Sequence, residues 1–512
     1  ATNPLSNIMF SYSSFSSNVL GFYPKSFVLH ILLCAAISVL FACYFWKFYV
    51  TRGVPYFKKV MKTGFLFILL LGALYAGLNL FYIFRLNREI LKVKASGRPT
   101  TPLEAAPAPI PDEGNAAFIY QEAFKLFKGE AVKFADITRR RVPEAYLNKE
   151  EKQLLNVFYN FDFSNFPLWK AEDKKKIFKI AAENEAAYLL IRKAAILSKC
   201  RFPLDYAAGD NMRTPHRNSM EILRNILIAR TIADFERKDI NSILEDISAG
   251  IRMAEHLSKE PLTTSSMFHT RTIDTFLQIL QQLYDRRDLN LSQLKKIAES
   301  LNNISGRKNK VDALIGERAL FTMDYFRRVI YPRTAEIYSP FFKNKLIRFF
   351  YRTFFNFAYK TDYLAFLRLS EQQLDMLYKP YYETKDILGK FDANKDKLAR
   401  HPLAAMLYPF HSTHASSIAR FEATRDLAKI ATALKIYWLA HEQYPENLAE
   451  LEPDFIPELP PDPFTGKDYS YRKKDKGFIV YSVGQNLQDD GGVSPKEMAR
   501  TGHYDIVWEN SK

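Results

Sequence analysis

Two long apolar runs near the N-terminus constrain this chain more than any other feature. Residues 27–49, from Phe27 to Tyr49, carry no charge before Lys47. At about 1.5 Å per residue the run is about 35 Å long as a helix, enough to cross a bilayer core. Residues 63–84, from Thr63 to Phe84, carry no charge at all. Neither run has the polar face of a helix lying on a soluble core. Tyr44, Trp46 and Tyr49, and Tyr75 and Tyr82 in the second run, suit an interfacial aromatic belt. The runs predict a transmembrane hairpin (27–49, 63–84) after an N-terminal segment, 1–26, with a juxtamembrane helix extending to residue 98. A lipid bilayer is therefore the first expected partner. Charge does not orient the hairpin. Lys47, Arg52, Lys58, Lys59 and Lys62 in the connector are nearly balanced by Arg85, Arg88, Lys92, Lys94 and Arg98 after the second run.

The remaining length, out of 512 residues, exceeds one small domain and predicts two or three folded units. A net charge of +16 calls for anionic neighbours, and in a membrane-anchored chain acidic headgroups are the natural ones. No nucleic-acid partner is expected, because no RNP-type aromatic motif, zinc-finger spacing or Arg-rich arm accompanies the charge. The three cysteines form no disulfide framework: Cys34 and Cys43 sit nine apart in the first run, and Cys200 stands alone. Cys200 beside Arg201 reads as a buried, inert thiol in preference to a reactive one.

Residues 99–114 hold five prolines, which predicts an extended spacer. A helical body follows over 115–415. Ile222, Leu223, Ile226, Leu227, Ala229 and Ala233 form one core-facing stripe, with Arg224, Arg230 and Asp234 off it. Ile240, Ile243, Leu244, Ile247, Ile251 and Ala254 form the next, and Ile273, Phe276, Leu277, Ile279, Leu280 and Leu283 a third. Short polar joints separate them, and Ser292 is the expected N-cap of a further helix. Successive antiparallel helices at this spacing predict a hairpin stack. Within 341–357, Lys345, Arg348 and Arg352 fall on one helical face, and Phe350, Phe354 and Phe357 on another. Such a helix fits a membrane interface, with rings in the acyl boundary and cations on phosphates; packing its aromatic face into the core is the competing reading.

From residue 416 the pattern changes. A helix through Tyr437 is stopped by Pro445, a short helix covers 447–451, and strand-like runs at 469–472 and 477–483 flank a charged turn. A glycine loop and a last strand, 504–508, follow. Ala433-Leu434-Lys435-Ile436-Tyr437, Tyr444-Pro445, Asp462-Pro463-Phe464-Thr465-Gly466, Tyr481-Ser482-Val483-Gly484-Gln485-Asn486 and Asp489-Asp490-Gly491-Gly492 appear in this order. In words and spacing this segment resembles the globular domain of the type II secretion major pseudopilins. The whole chain resembles a group of uncharacterised bacterial envelope proteins with an N-terminal anchor, a phrase like Gly97-Arg98-Pro99-Thr100-Thr101, a phrase like Asn115-Ala116-Ala117, a helical body and a pseudopilin-like tail. The resemblance implies an inner-membrane protein with its large domain extracytoplasmic. It also implies calcium at the terminal loop, held by Asn486, Asp489, Asp490 and Asp505, with Val483 or Leu487 adding a carbonyl. Asn486 stands where the family usually has Asp, which lowers the charge of the site. The competing reading is a solvated turn whose aspartates bind backbone amides. No long hydrophobic run leads into this helix, so the chain should not polymerise as a pilin does.

No catalytic motif is complete in the sequence. His411 and His414 are three apart, with His401 nearby, but no third metal ligand is assured. Asp392-Ala-Asn394-Lys-Asp396 lacks the glycine and glutamate of an EF-hand. No phosphate-binding loop, dinucleotide fingerprint or nucleophile elbow occurs. The expectation is a mainly α protein: two transmembrane helices, a hairpin-stack body and a small α+β tail with an antiparallel sheet. Its expected role is a membrane-anchored scaffold or interaction subunit with protein partners in a larger complex, with no catalysis assigned. A membrane-tethered hydrolase with a site in the body, and a secretion-associated accessory protein, are the alternatives.

Overall fold

The computed structural model describes residues 46–47, 50, 58–140, 146–152, 171–330, 356–393, 401–407, 411–493 and 505–510. Most of the first apolar run, and Lys345, Arg348, Phe350, Arg352 and Phe354 of the basic aromatic segment, lie outside these residues. The described chain is mainly helical, with one three-stranded antiparallel sheet near its end. It divides into two compact units, residues 1–88 with 328–361, and residues 89–327 with 362–512.

The first unit is built on α1, Lys58–Ala95, which continues past it into the residues of the second. The predicted run 63–84 is its apolar stretch. No described residue buries that stretch: Phe65, Ile68, Leu70, Leu74 and Phe84 all stay exposed among the described residues. Among the described residues this is the one helix long and apolar enough to cross a bilayer. Its polar side chains find partners within the unit. Thr63 donates to the Lys59 carbonyl at 2.9 Å, and Asn79 donates to the Tyr75 carbonyl at 3.0 Å. The Asn79 Oδ1 accepts from Lys360 Nζ at 2.9 Å, and the Phe357 ring meets Tyr75 edge-on at 6.3 Å. Phe357, the last residue of the predicted interfacial segment, thus stands beside the apolar helix.

The second unit opens with the end of α1. Gly97, at φ 77°, turns the chain out of the helix, and the Arg98 amide returns to the Val93 carbonyl at 3.3 Å. Only glycine takes this left-handed position without a steric penalty. The proline-rich stretch then departs from the expected spacer. Thr101 caps a short helix, α2, Pro102–Ala105, by accepting from the Glu104 amide, and Thr100, Pro102 and Ala105 are buried. Proline at the first helical position is compatible with a helix start, which the count of prolines alone conceals.

The body follows as α3 (Ala116–Phe124), α4 (Glu130–Arg140), α5 (Ala171–Glu183), α6 (Glu185–Ile196), α7 (His216–Arg237), α8 (Ile240–Leu257), α9 (Thr263–Arg286), α10 (Leu291–Asn302), α11 (Arg307–Glu317), a π-helical turn Arg318–Met323, α12 (Asp324–Ile330), α13 (Asn356–Leu377), α14 (Tyr381–Ala393), α15 (Pro402–Leu407) and α16 (His411–His441). Consecutive helices α7, α8 and α9 pack against one another, as the hairpin-stack reading requires. Asn115 caps α3 through the Ala117 amide and ties it to the Arg201 backbone by two bonds, at 2.8 and 2.9 Å. Every predicted stripe residue of α7 and α9 is buried. Two expectations fail locally. Arg224 and Asp234 are buried, because α7 is enclosed on all sides; Arg224 reaches Glu221 at 2.8 Å, and Asp234 reaches Arg230 at 3.2 Å. The cap of α10 is Asn290, in a reciprocal capping box with Gln293, two residues before the expected Ser292.

The tail is not a separate core. The long helix α16 continues the body, and its Phe421, Leu427, Ile430 and Leu434 join the same buried cluster as Ile226, Phe276 and Leu280. Tyr437 faces this core while Trp438, expected on the stripe, is 42% exposed. The sheet is β1 (Ser470–Lys474), β2 (Gly477–Ser482) and β3 (Ile506–Asn510), in that order. Lys474 pairs with Gly477 across a two-residue turn, and Phe478 pairs with Asn510. All of β2 is buried, and β3 packs on α9 and α16.

Candidate functional site

The C-terminal end of α8 concentrates groups that an amphipathic helix normally keeps on its wet side. Ala254 closes its apolar stripe, and Glu255, His256, Ser258 and Glu260 follow, all buried. Each is hydrogen-bonded or ion-paired. Glu255 Oε1 accepts from His269 Nε2 at 2.7 Å, from the Ser305 amide at 2.8 Å and from the Ser305 hydroxyl at 3.0 Å. Burial opposes its charge, but these donors outweigh burial and hold the carboxyl at about 2. Burial pushes the His269 pKa down, against the pull of Glu255. His256 Nε2 faces the Leu197 carbonyl at 2.9 Å, which can only accept, so that nitrogen carries the proton and Nδ1 accepts from the Tyr120 hydroxyl at 2.9 Å. Burial takes His256 down to about 4. Glu260 accepts from the Ser265 hydroxyl at 2.6 Å and lies 2.9 Å from His216 Nε2, whose ring stacks on Phe202. Deeper in, Lys310 Nζ sits 3.7 Å over the Phe421 ring and donates to the Thr270 hydroxyl; burial lowers it to about 8 and raises Asp274 to about 6.

Beside this cluster lies a cleft of about 620 Å³. Gly97, Arg98 and Pro99 form one wall, Ser258, Glu260 and Pro261 another, and Asn309, Asp312 and Gly316 a third. Arg98 is fixed in place: it bonds Glu371 at 2.5 Å and also Asp375, and Glu371 binds Arg318 as well. Glu104, at the rim, accepts from the Thr100 amide and hydroxyl at 2.9 and 2.8 Å and is held at about 2, chiefly by that backbone bond. Gly316 lets α11 approach Pro261, since a Cβ there would stand 2.2 Å from the proline ring. The wall is rigid and of mixed charge.

General acid–base chemistry near neutral pH needs a group that titrates there with a lone pair or proton to give. Glu255 and His256 titrate far below that range, and their polar atoms are engaged by neighbours. Asp274 and Lys310 lie nearer neutrality, but neither lines the cleft. The polar atoms of the cluster are committed to one another and to the backbone.

The four predicted calcium ligands lie in the second unit, in the loop after β2 and just before β3. Asp505 is fully buried and accepts from the Gly492 amide at 2.7 Å and the Asp490 amide at 3.4 Å. Asp489 accepts from the Tyr481 hydroxyl at 3.0 Å and the Gly491 amide at 2.9 Å, and Asn486 donates to Asp490 at 2.9 Å. Burial and the neighbouring Asp490 and Asp489 push Asp505 up, against the pull of its two amides. Among the described residues no group of three or more His, Cys, Asp and Glu converges as a metal site would. His401 meets Asp362 at 3.1 Å, where that carboxylate also accepts the Leu403 amide at the start of α15. His414 is pushed down by burial. The Cys200 thiol is buried, and burial together with Glu260 pushes its pKa up, as an inert thiol requires.

No cluster at the end of α8 was foreseen in the sequence. Its signal was Glu255 and Ser258 at positions that extend the apolar stripe of α8, where polar residues imply buried partners. No protein-family model, no curated protein and no solved structure matches the chain.

Proposed function

We propose that this protein is a membrane-tethered interaction subunit, a helical platform held at a bilayer by α1 and presenting its clefts to a partner in a larger complex. The observation that carries the reading is α1 itself, whose apolar stretch finds no cover among the described residues and so favours lipid as its surroundings. The buried ionisable groups at the end of α8 support a binding role over catalysis, because their capacity is spent on each other and on backbone. The pseudopilin-like tail favours a bacterial inner membrane with the large domain on the extracytoplasmic side. The contact of Phe357 with Tyr75 favours an interfacial role for the basic aromatic segment that it ends. Calcium at the terminal loop belongs to the same reading. Asn486 bonds Asp490 and the Asp490 amide bonds Asp505 in that loop, and a cation would offset the repulsion from Asp490 and Asp489 that adds to burial in raising Asp505.

Purification from native membranes in mild detergent tests the proposal. A stoichiometric partner that co-migrates with the chain, and is lost when Glu371→Ala loosens the Arg98 wall of the cleft, is the expected result. A protein that elutes alone and monomeric after gentle solubilisation overturns it.

A further inference from the structure

A second cleft, of about 860 Å³, lies between α6, α8 and α10, away from the Gly97–Pro99 wall. Its size is that of a small-molecule site. Its lining has two characters. Ile196, 83% exposed, leaves an aliphatic side chain uncovered at the rim, and the buried Leu244, Ile251 and Ile297 back the cleft. Arg192, Lys193, Arg252 and Lys296 supply positive charge.

The charges are not matched from within. Arg192 is committed, to Glu245 and to the Tyr188 hydroxyl. Glu255 reaches the cleft, but its Oε1 is taken by His269 and Ser305. Among the described residues the Arg252 guanidinium, half-buried, makes no hydrogen bond or ion pair, nor do the ammonium groups of Lys193 and Lys296, and the cleft sets four cations, Arg192, Lys193, Arg252 and Lys296, against three carboxylates, Glu245, Glu255 and Glu299. The planar fork of a guanidinium fits a carboxylate or phosphate with two parallel bonds. The Arg252 charge adds to burial in lowering the nearby His256.

We propose that this cleft binds an organic anion, a carboxylate or phosphate head joined to an apolar body. Arg252 anchors the head, Lys193 and Lys296 complete its charge, and Ile196 and Ile251 cover the body. The inference stands apart from the partner-binding reading of the first cleft.

Calorimetric titration of the full chain in non-ionic detergent tests it, with phenyl phosphate as probe and inorganic phosphate and phenol as its two halves. Phenyl phosphate is expected to bind saturably, at least tenfold tighter than either half, and to weaken as salt is raised. Arg252→Gln should weaken it at least tenfold with the melting temperature unchanged, Arg252→Lys should fall between, and Lys259→Gln in the first cleft should change nothing. If Arg252→Gln does not fold, the Lys193→Gln/Lys296→Gln double variant carries the test, with a several-fold loss expected. Absence of saturable binding, phenol binding as tightly as phenyl phosphate, or undiminished binding by the charge-removing variants overturns the proposal.

Discussion

Replacing Glu255 by alanine removes one acceptor from three donors at once, the His269 ring, the Ser305 amide and the Ser305 hydroxyl. The size of the effect follows from the carboxyl's own titration. Its pKa falls from an ordinary 4.5 to about 2 on folding, and at 1.36 kcal/mol per unit this corresponds to about 3 kcal/mol in favour of the ionised, folded state. The side chain is buried, so solvent screening takes little from this figure. Glu255→Gln keeps an acceptor of the same shape and loses only the charge, which predicts a loss of up to about 3 kcal/mol near neutral pH. Glu255→Ala also strands His269 and leaves a cavity, which predicts about 3–5 kcal/mol. The pH dependence has a definite sign. A carboxyl with a depressed folded pKa stabilises fully above its unfolded pKa, here above about pH 4.5, and that contribution disappears as pH falls toward 2. Urea unfolding of the detergent-solubilised protein, followed by far-ultraviolet circular dichroism between pH 7 and pH 3, measures both. The gap between wild type and Glu255→Gln should be widest at pH 7 and narrow steadily below pH 4.5. A gap under 1 kcal/mol at pH 7, or one that stays constant on acidification, refutes the reasoning.

Other perturbations test other parts of the account. Gly250→Ala drives a methyl to 2.0 Å from the Phe276 ring, where α8 and α9 meet, and should cost about 1–3 kcal/mol in the same unfolding assay. Gly389→Ala, in the open on α14, should instead stabilise by up to about 1 kcal/mol through a less flexible unfolded chain. Millimolar calcium should raise the melting temperature of the wild type, with magnesium having less effect, and Asp505→Asn should abolish the calcium increment. Cys200 should react with a water-soluble maleimide only on unfolding, because burial both shields the thiol and suppresses its thiolate; rapid labelling of the folded protein at pH 7 contradicts this.

Periodicity made the body legible. The stripes of α7, α8 and α9 mark helices whose faces pack in series, and alternation with a charged turn marks the hairpin of β1 and β2. Less local matters were hidden. A stripe shows which side of α7 is apolar but not whether a second layer covers its polar side, so the burial of Arg224 and Asp234 depends on α5 and α8, which the α7 sequence does not contain. The change of vocabulary near residue 416 suggested a domain boundary, yet α16 fills the body's core before it reaches the sheet. Gly97 and Asn115 stood out as words and turn out to be a helix stop and a helix cap. The cluster at the end of α8 draws His216, Glu255, His269 and Ser305 from four separate segments, and neither cleft has a contiguous signature.

The central claim is that lipid covers the apolar stretch of α1. Spin labels placed singly at residues 66, 70, 74 and 81, in a variant lacking the three native cysteines and reconstituted in vesicles, test it through collisions with oxygen and with a water-soluble nickel complex. A bilayer-spanning helix gives high oxygen and low nickel accessibility, with the depth reading greatest near residues 70–74. High nickel accessibility, or low accessibility to both reagents, would place those side chains in water or inside protein and contradict the account.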